Sequence, residues 1–212
     1  MTKRRIIWLG IAITLTMLLM LAIILLLWVS NINYGFARTV SDGEQALRLQ
    51  LVQQAESWLG AKEGDSSHKA IIDIYNSHTP LAQGYAVSYS DSWCAAFVSA
   101  AAIECGFTDI IPTECGCQRQ IALFEALGCW VEDDQYTPLP GDIIYYSWND
   151  RGTGDCTDWS DHVGIVVGTA NGYIKVIEGN FGSAVQYRYL PIGASGIRGF
   201  AVPDYAEAAK NA

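Results

Sequence analysis

Ser90-Asp91-Ser92-Trp93-Cys94-Ala95-Ala96-Phe97-Val98 sets one cysteine at the start of a predicted helix. Ser90 or Asp91 is placed to cap that helix, and Phe97, Val98, Ala101 and Cys105 continue it as an apolar stripe until Gly106. Cys94 then falls in the first turn, where unpaired backbone N–H groups and the positive end of the helix dipole favour thiolate over thiol. The same N–H groups point to where a carbonyl oxygen would gain charge during attack. A thiolate needs a base. Asp161-His162-Val163-Gly164-Ile165-Val166-Val167 supplies one at the head of a β-branched run that reads as a buried strand. Ile177-Glu178-Gly179-Asn180 then ends another apolar run in polar side chains suited to orient an imidazole. Taken singly, a cysteine in an Ala-rich helix is more often a small buried hydrophobe, and a lone histidine a structural one. Their joint placement, helix start, strand start and the end of the next strand, is what points to catalysis.

Four segments in order, Trp93-Cys94-Ala95-Ala96-Phe97-Val98, Pro140-Gly141-Asp142-Ile143-Ile144, Asp161 to Val166 and Ile177 to Asn180, resemble the signature segments of the CHAP family, the cysteine, histidine-dependent amidohydrolases and peptidases. The resemblance covers about residues 44 to 205. It implies an α+β, papain-like fold with N-terminal helices packed on an antiparallel sheet. It also implies peptidoglycan as substrate, with Cys94 as nucleophile, His162 as base and Glu178 with Asn180 as the orienting pair. No cofactor is expected, and the residues themselves offer no metal site. Papain-like enzymes often carry a glutamine a few residues before the nucleophile as a second oxyanion donor, and none stands there in this chain.

The N-terminal part carries a different signal. Ile6 to Val29 holds no charged residue, and as a helix it is long enough to span a hydrocarbon core of about 30 Å. Trp8 and Trp28 bracket it, and Lys3, Arg4 and Arg5 precede it, which orients the N-terminus toward the cytoplasm and the rest of the chain outward. A cleaved signal peptide is the competing reading, with Gly35-Phe36-Ala37 as its small-residue site. Against it, a signal h-region runs only about 7 to 15 residues. The expected organisation is a cytoplasmic N-terminus at 1–5, a single transmembrane helix at 6–29, a stalk at 30–43, the hydrolase domain at 44–205 and a tail at 206–212. The domain would then be extracellular, tethered to the cell membrane.

Setting aside Lys3, Arg4 and Arg5, ten of the 13 basic residues face 22 acidic ones, a net charge of −12 outside the anchor. Such a balance argues against a nucleic-acid partner. Binding to an anionic wall would gain nothing from long-range attraction, so tethering must supply the local concentration.

Within the domain, Leu47, Leu51, Ala55, Trp58 and Leu59 predict a first helix capped by Ser41 or Asp42, and Ile71, Ile72, Ile74 and Tyr75 a second from about Ser67 to Ser77. His68 and His78 at its ends read as solvated. Gln83 to Tyr89 reads as a loop beside the groove, with Tyr85, Tyr89 and Trp93 as candidate substrate contacts. A further helix is expected from about Gln118 to Leu127. Five strands are expected near 142–148, 162–169, 173–178, 184–190 and 197–202, with Asn171-Gly172 as a hairpin turn. The acids Asp150, Asp155, Asp158 and Asp161 lack the alternation of an EF-hand loop and read as a solvated groove wall. Outside the cytoplasm, Cys115, Cys117, Cys129 and Cys156 are expected to be at least partly disulfide-bonded, leaving Cys105 unpaired.

Two further readings differ in class: a cell-wall binding module without catalysis, and a wall-cutting component of a secretion or conjugation assembly.

Overall fold

The structure is a computed structural model that describes residues 14, 16–21, 34–150 and 156–211. The expected transmembrane segment 6–29 lies for the most part outside the described residues, as does Asp155. Among the described residues no helix is long and apolar enough to cross a membrane. The chain divides into two units, Met1–Asn33 and Tyr34–Ala212, and the second holds Cys94, His162 and Glu178.

Four helices precede most of the sheet: α1 (Asp42–Glu56), α2 (Ser66–Ser77), α3 (Cys94–Cys105) and α4 (Cys117–Ala126). Ser41 caps α1 by accepting from the Glu44 N–H, as the sequence suggests, and Asp65 caps α2 through the His68 N–H. Six strands follow, β1 (Trp130–Val131), β2 (Ile143–Tyr146), β3 (His162–Ala170), β4 (Tyr173–Glu178), β5 (Gln186–Pro191) and β6 (Ile197–Ala201), and then a short helix α5 (Tyr205–Ala208). They form one antiparallel sheet in the order β1-β6-β2-β3-β4-β5. The α+β class and the antiparallel sheet are therefore as expected. Asn171 and Gly172 turn the β3–β4 hairpin with φ of 52° and 77°, the positive pair that a two-residue turn of matching twist demands.

Helix α3 is the centre of the molecule. Every side chain from Cys94 to Ala102 is buried, because the helix packs against α1, α2 and β3 at once. The expected single apolar stripe is in fact a helix buried all round from Cys94 to Ala102, and its run of alanines is what lets neighbouring backbones approach. Ile143, Tyr145, Val163, Ile165 and Ile177 form the sheet's contribution to that core. The opposite sheet face carries Ile144, Val166, Val176, Leu190 and Phe200.

Pro140-Gly141-Asp142 has a structural task. The buried Asp142 carboxylate accepts from Arg48 Nη1 at 2.7 Å and from the Leu139 N–H at 2.8 Å. Arg48 also donates to the Pro140 carbonyl at 3.1 Å and lies over the Tyr205 ring at 4.7 Å. Gly141 sits at φ 84°, where a Cβ would stand 3.2 Å from the Arg48 backbone. The segment thus ties α1 and α5 to the root of β2. Removing one partner of such a buried pair costs about 3–5 kcal/mol, because the other charge is left stranded.

Several local expectations are corrected. Helix α3 has Trp93 at its N-cap with no side-chain cap. Asp91 instead accepts from the Tyr85 hydroxyl and the Ser88 N–H, both at 2.8 Å. His68 is fully buried rather than solvated, its Nδ1 accepting from the Gly64 N–H at 3.0 Å and its ring 4.7 Å from that of Trp93. All six cysteines are free thiols, because the four expected to pair sit on separate elements with other neighbours. Cys117 faces Cys94, Cys115 lies against Arg119, Cys129 contacts the Leu127 carbonyl, and Cys156 is buried ahead of β3. Part of the expected stalk belongs to the folded unit, since Gly35 bridges Thr169. The chain beyond residue 205 continues as α5.

Candidate active site

Strand register assembles the polar side of the site. His162 is the first residue of β3 and pairs with Tyr146 of β2, while Glu178 is the last residue of β4 and pairs with Gln186 of β5. Side chains two residues apart on a strand share a face. Arg188, two residues beyond Gln186, therefore lies beside Glu178. His162 Nε2 meets Glu178 Oε2 at 2.9 Å, and Arg188 Nε donates to Glu178 Oε1 at 2.7 Å. Glu178 is fully buried and His162 nearly so.

Gly164 makes this arrangement possible. A Cβ there would stand 2.6 Å from Glu178 Cγ and 2.6 Å from Val176 Cγ1, so the missing side chain is the space in which the carboxylate lies. Gly164→Ala is expected to destabilise the fold by about 1–3 kcal/mol, the usual cost of an overpacked methyl. It should also lower the activity of the folded fraction by displacing Glu178. Chemical denaturation together with rates normalised to folded protein checks both.

Cys94 stands at the first position of α3, at the end of the sheet where β3 begins and β4 stops. Its thiol and the His162 imidazole act on each other's charge state. The Cys94 thiol is held well below its ordinary range, chiefly by its hydrogen bond with Cys117, whose sulfur lies at 3.6 Å. Burial opposes this, and the hydrogen bond and charge of His162 with the Ala95 N–H reinforce it. His162 is pushed up to about 9: burial pulls it down, and hydrogen bonds and charge from Cys94 and Glu178 overcome that pull. Glu178 is lowered despite its burial by His162 and Arg188. These shifts all favour a thiolate–imidazolium pair backed by an ionised carboxylate, an arrangement fit for nucleophilic attack at a carbonyl. The N–H groups at the start of α3 carry the positive end of the helix dipole, which suits a developing oxyanion.

The other sequence-derived candidates fall elsewhere. Asn180 follows the end of β4 at φ 60°, so the strand alternation that would have brought it beside Glu178 is broken, and no hydrogen bond joins it to His162. Gly179 accounts for this turn: a Cβ there would meet Phe97 at 2.5 Å and Trp93 at 2.9 Å, so the backbone presses directly on α3. Trp93 is fully buried against His68 and Phe97, which removes it as a substrate contact. Tyr85 and Tyr89 are exposed, their hydroxyls donating to Asp91 and to Asp73.

Residues that sequence reasoning missed surround the imidazole. Trp148 and Tyr146 lie 5.6 and 5.8 Å from the His162 ring in near-parallel planes, and Trp148 is 58% exposed. Arg188 packs over Phe181 at 4.0 Å and over Tyr146 at 5.1 Å. Beside these rings is a cavity of about 320 Å³ lined by Tyr146, Trp148, Arg188, Tyr189, Leu190 and Gly196. A larger cavity, about 540 Å³, lies among Leu47, Phe107, Ile110 and Leu127, toward the other end of α3. Two of the acids before β3 are engaged with backbone: Asp161 accepts from the Trp148 N–H at 2.8 Å, and Asp150 from the Gly196 N–H.

Residues 84–180 match the family model of the CHAP domain. That stretch contains Cys94, His162, Glu178 and Asn180. No curated protein matches the chain. Among solved structures, an NlpC/P60 family protein from Bacillus cereus is similar with a TM-score of 0.41 and 15% identity, covering 73% of this chain and 39% of that one. NlpC2 from Trichomonas vaginalis is similar with a TM-score of 0.39 and 22% identity, covering 81% of this chain and 50% of that one. The chain thus spans half or less of these proteins' length.

Proposed function

We propose that this chain, with its CHAP domain match over residues 84–180, is a membrane-anchored cysteine amidohydrolase or endopeptidase that cuts amide bonds in peptidoglycan. The observation that carries the catalytic part is the buried His162–Glu178 contact at 2.9 Å, together with Cys94 at the start of α3, whose thiol is held low in part by His162. The thiolate attacks the amide carbonyl, and the oxyanion is met by the N–H at the start of α3. Imidazolium His162 gives its proton to the leaving amine, which departs and leaves a thioester. Water, deprotonated by His162, then attacks the thioester, releasing the carboxylic acid and regenerating the thiolate. Glu178 holds the ring orientation and stabilises its positive charge in each half-reaction. Digestion of purified sacculi followed by mass spectrometry tests the assignment. New amino termini from the peptide stem or bridge mark an endopeptidase, free stem peptides released from the glycan mark an amidase, and unaltered sacculi would overturn the reading.

The uncharged run from Ile6 to Val29 behind Lys3, Arg4 and Arg5 supports a single span with the catalytic domain outside. The mature protein is expected to stay in the membrane fraction through alkaline carbonate extraction with Met1 or Thr2 at its N-terminus. A soluble product beginning near Arg38 would show a cleaved signal instead.

A further inference from the structure

A second helix start converges on the nucleophile. Cys117 opens α4 as Cys94 opens α3, and the two sulfurs lie 3.6 Å apart, both buried. The contact is built by its surroundings. Ser99 of α3 donates to the Glu114 carbonyl at 2.7 Å and accepts from the Glu114 N–H at 3.0 Å. The Glu114 carboxylate takes the N–H groups of Cys115 and Gly116 and the Arg119 guanidinium. Gln120 donates to the Pro112 carbonyl and accepts from the Tyr145 hydroxyl, both at 2.9 Å. These bonds fix the turn before α4 to α3 and to β2, so the placement of Cys117 is set by the fold and not by its own side chain.

We propose that Cys117 is a positioning residue for the nucleophile, its S–H donating to the Cys94 sulfur and holding it beside the imidazole. The inference rests on reading Cys94 as the nucleophile. The direction of donation follows from the groups around the pair. Cys94 faces His162, with Glu178 behind it, and carries the negative charge. Among the described residues no cation acts on Cys117; it faces Cys94, with Asp161 and Tyr145 nearby, and stays protonated. A thiol is a weak donor, but toward a buried thiolate the bond is charge-assisted. The pair shares one proton between two sulfurs, and His162 holds the other.

The test is the pH dependence of Cys94 alkylation by iodoacetamide, read by peptide mapping with reductant present so that the two sulfurs cannot join. It needs no wall substrate, so it stands apart from the activity on sacculi and can fail independently of it. Cys117→Ala is expected to move the Cys94 midpoint up by about one unit, which slows alkylation about tenfold below both midpoints. Cys117→Ser keeps a donor and should restore most of the low midpoint. Cys117→Val provides a second variant without a donor should the alanine protein fail to fold. Equal midpoints in the wild-type and donor-free proteins would overturn the proposal, as would equal shifts in the serine and donor-free variants, which would mark a packing role alone.

Discussion

Cys94→Ala should reduce hydrolysis of purified sacculi to background, and His162→Ala should do nearly the same. Losses of at least about 10⁴-fold are expected, since removing any member of such a unit leaves only binding and oxyanion contributions. The two variants part company in their thiol chemistry. In the wild type the thiolate forms below the ordinary cysteine range, and the imidazolium persists until about pH 9. Activity should therefore rise as Cys94 ionises, hold across neutral pH and fall through about 9, where His162 loses the proton that the leaving amine needs. His162→Ala should raise the pH at which Cys94 becomes alkylatable and remove the alkaline limb from residual activity. Stability follows the same group with a definite sign. The folded protein keeps a proton on His162 that the unfolded chain releases near its ordinary value of 6.5. The stabilisation from that proton is complete below 6.5 and is lost as pH rises through about 9. A wild-type rate profile flat from pH 7 to 11 would contradict the ion-pair state.

The site's main line was legible because each member sits at an element boundary that sequence marks locally. Alanines closed by Gly106 announce the helix behind Cys94, a β-branched run announces the strand behind His162, and Glu178 ends an alternating run before glycine. What local pattern could not show are contacts made by register and packing. Arg188 reaches Glu178 only because β5 pairs with β4 at Gln186. Cys117 reaches Cys94 across 23 positions, through a turn held by Glu114. Trp148 covers the imidazole from a loop. The misplaced expectations have equally specific causes. Asp91 is a good capping residue in composition, yet Tyr85 and Ser88 engage its carboxylate. Trp93 looked available beside the nucleophile, but the chain turns there and the indole fills the space between His68 and Phe97. Asn180 was placed by strand alternation, which its left-handed turn ends. The disulfide expectation came from compartment and count, and neither carries geometry.

The largest effect outside the nucleophile and base is expected at the carboxylate, and it should depend on Arg188. Glu178→Gln keeps the shape but replaces the acceptor that stabilises the imidazolium with a neutral amide. Activity should fall by about 10²–10⁴-fold, between the loss for a misoriented imidazole and that for a missing one. The alkaline limb should move below 9, because one of the two influences that hold His162 protonated is gone. Arg188→Ala removes the 2.7 Å bond to the other carboxylate oxygen and leaves a buried carboxylate with one partner. The carboxylate is then less firmly placed and less strongly ionised, so a smaller loss of about 10-fold is expected, with a shift of the acid limb toward higher pH. Arg188→Lys should recover only part of it, since an ammonium cannot reproduce the planar guanidinium over Phe181 and Tyr146. Asn180→Ala, by contrast, should leave both limbs in place, because that side chain makes no bond to His162. Steady-state rates across pH 5 to 10, with folding checked by circular dichroism, separate these cases. An unshifted alkaline limb in Glu178→Gln would remove Glu178 from the support of the imidazolium and leave it as a buried partner of Arg188.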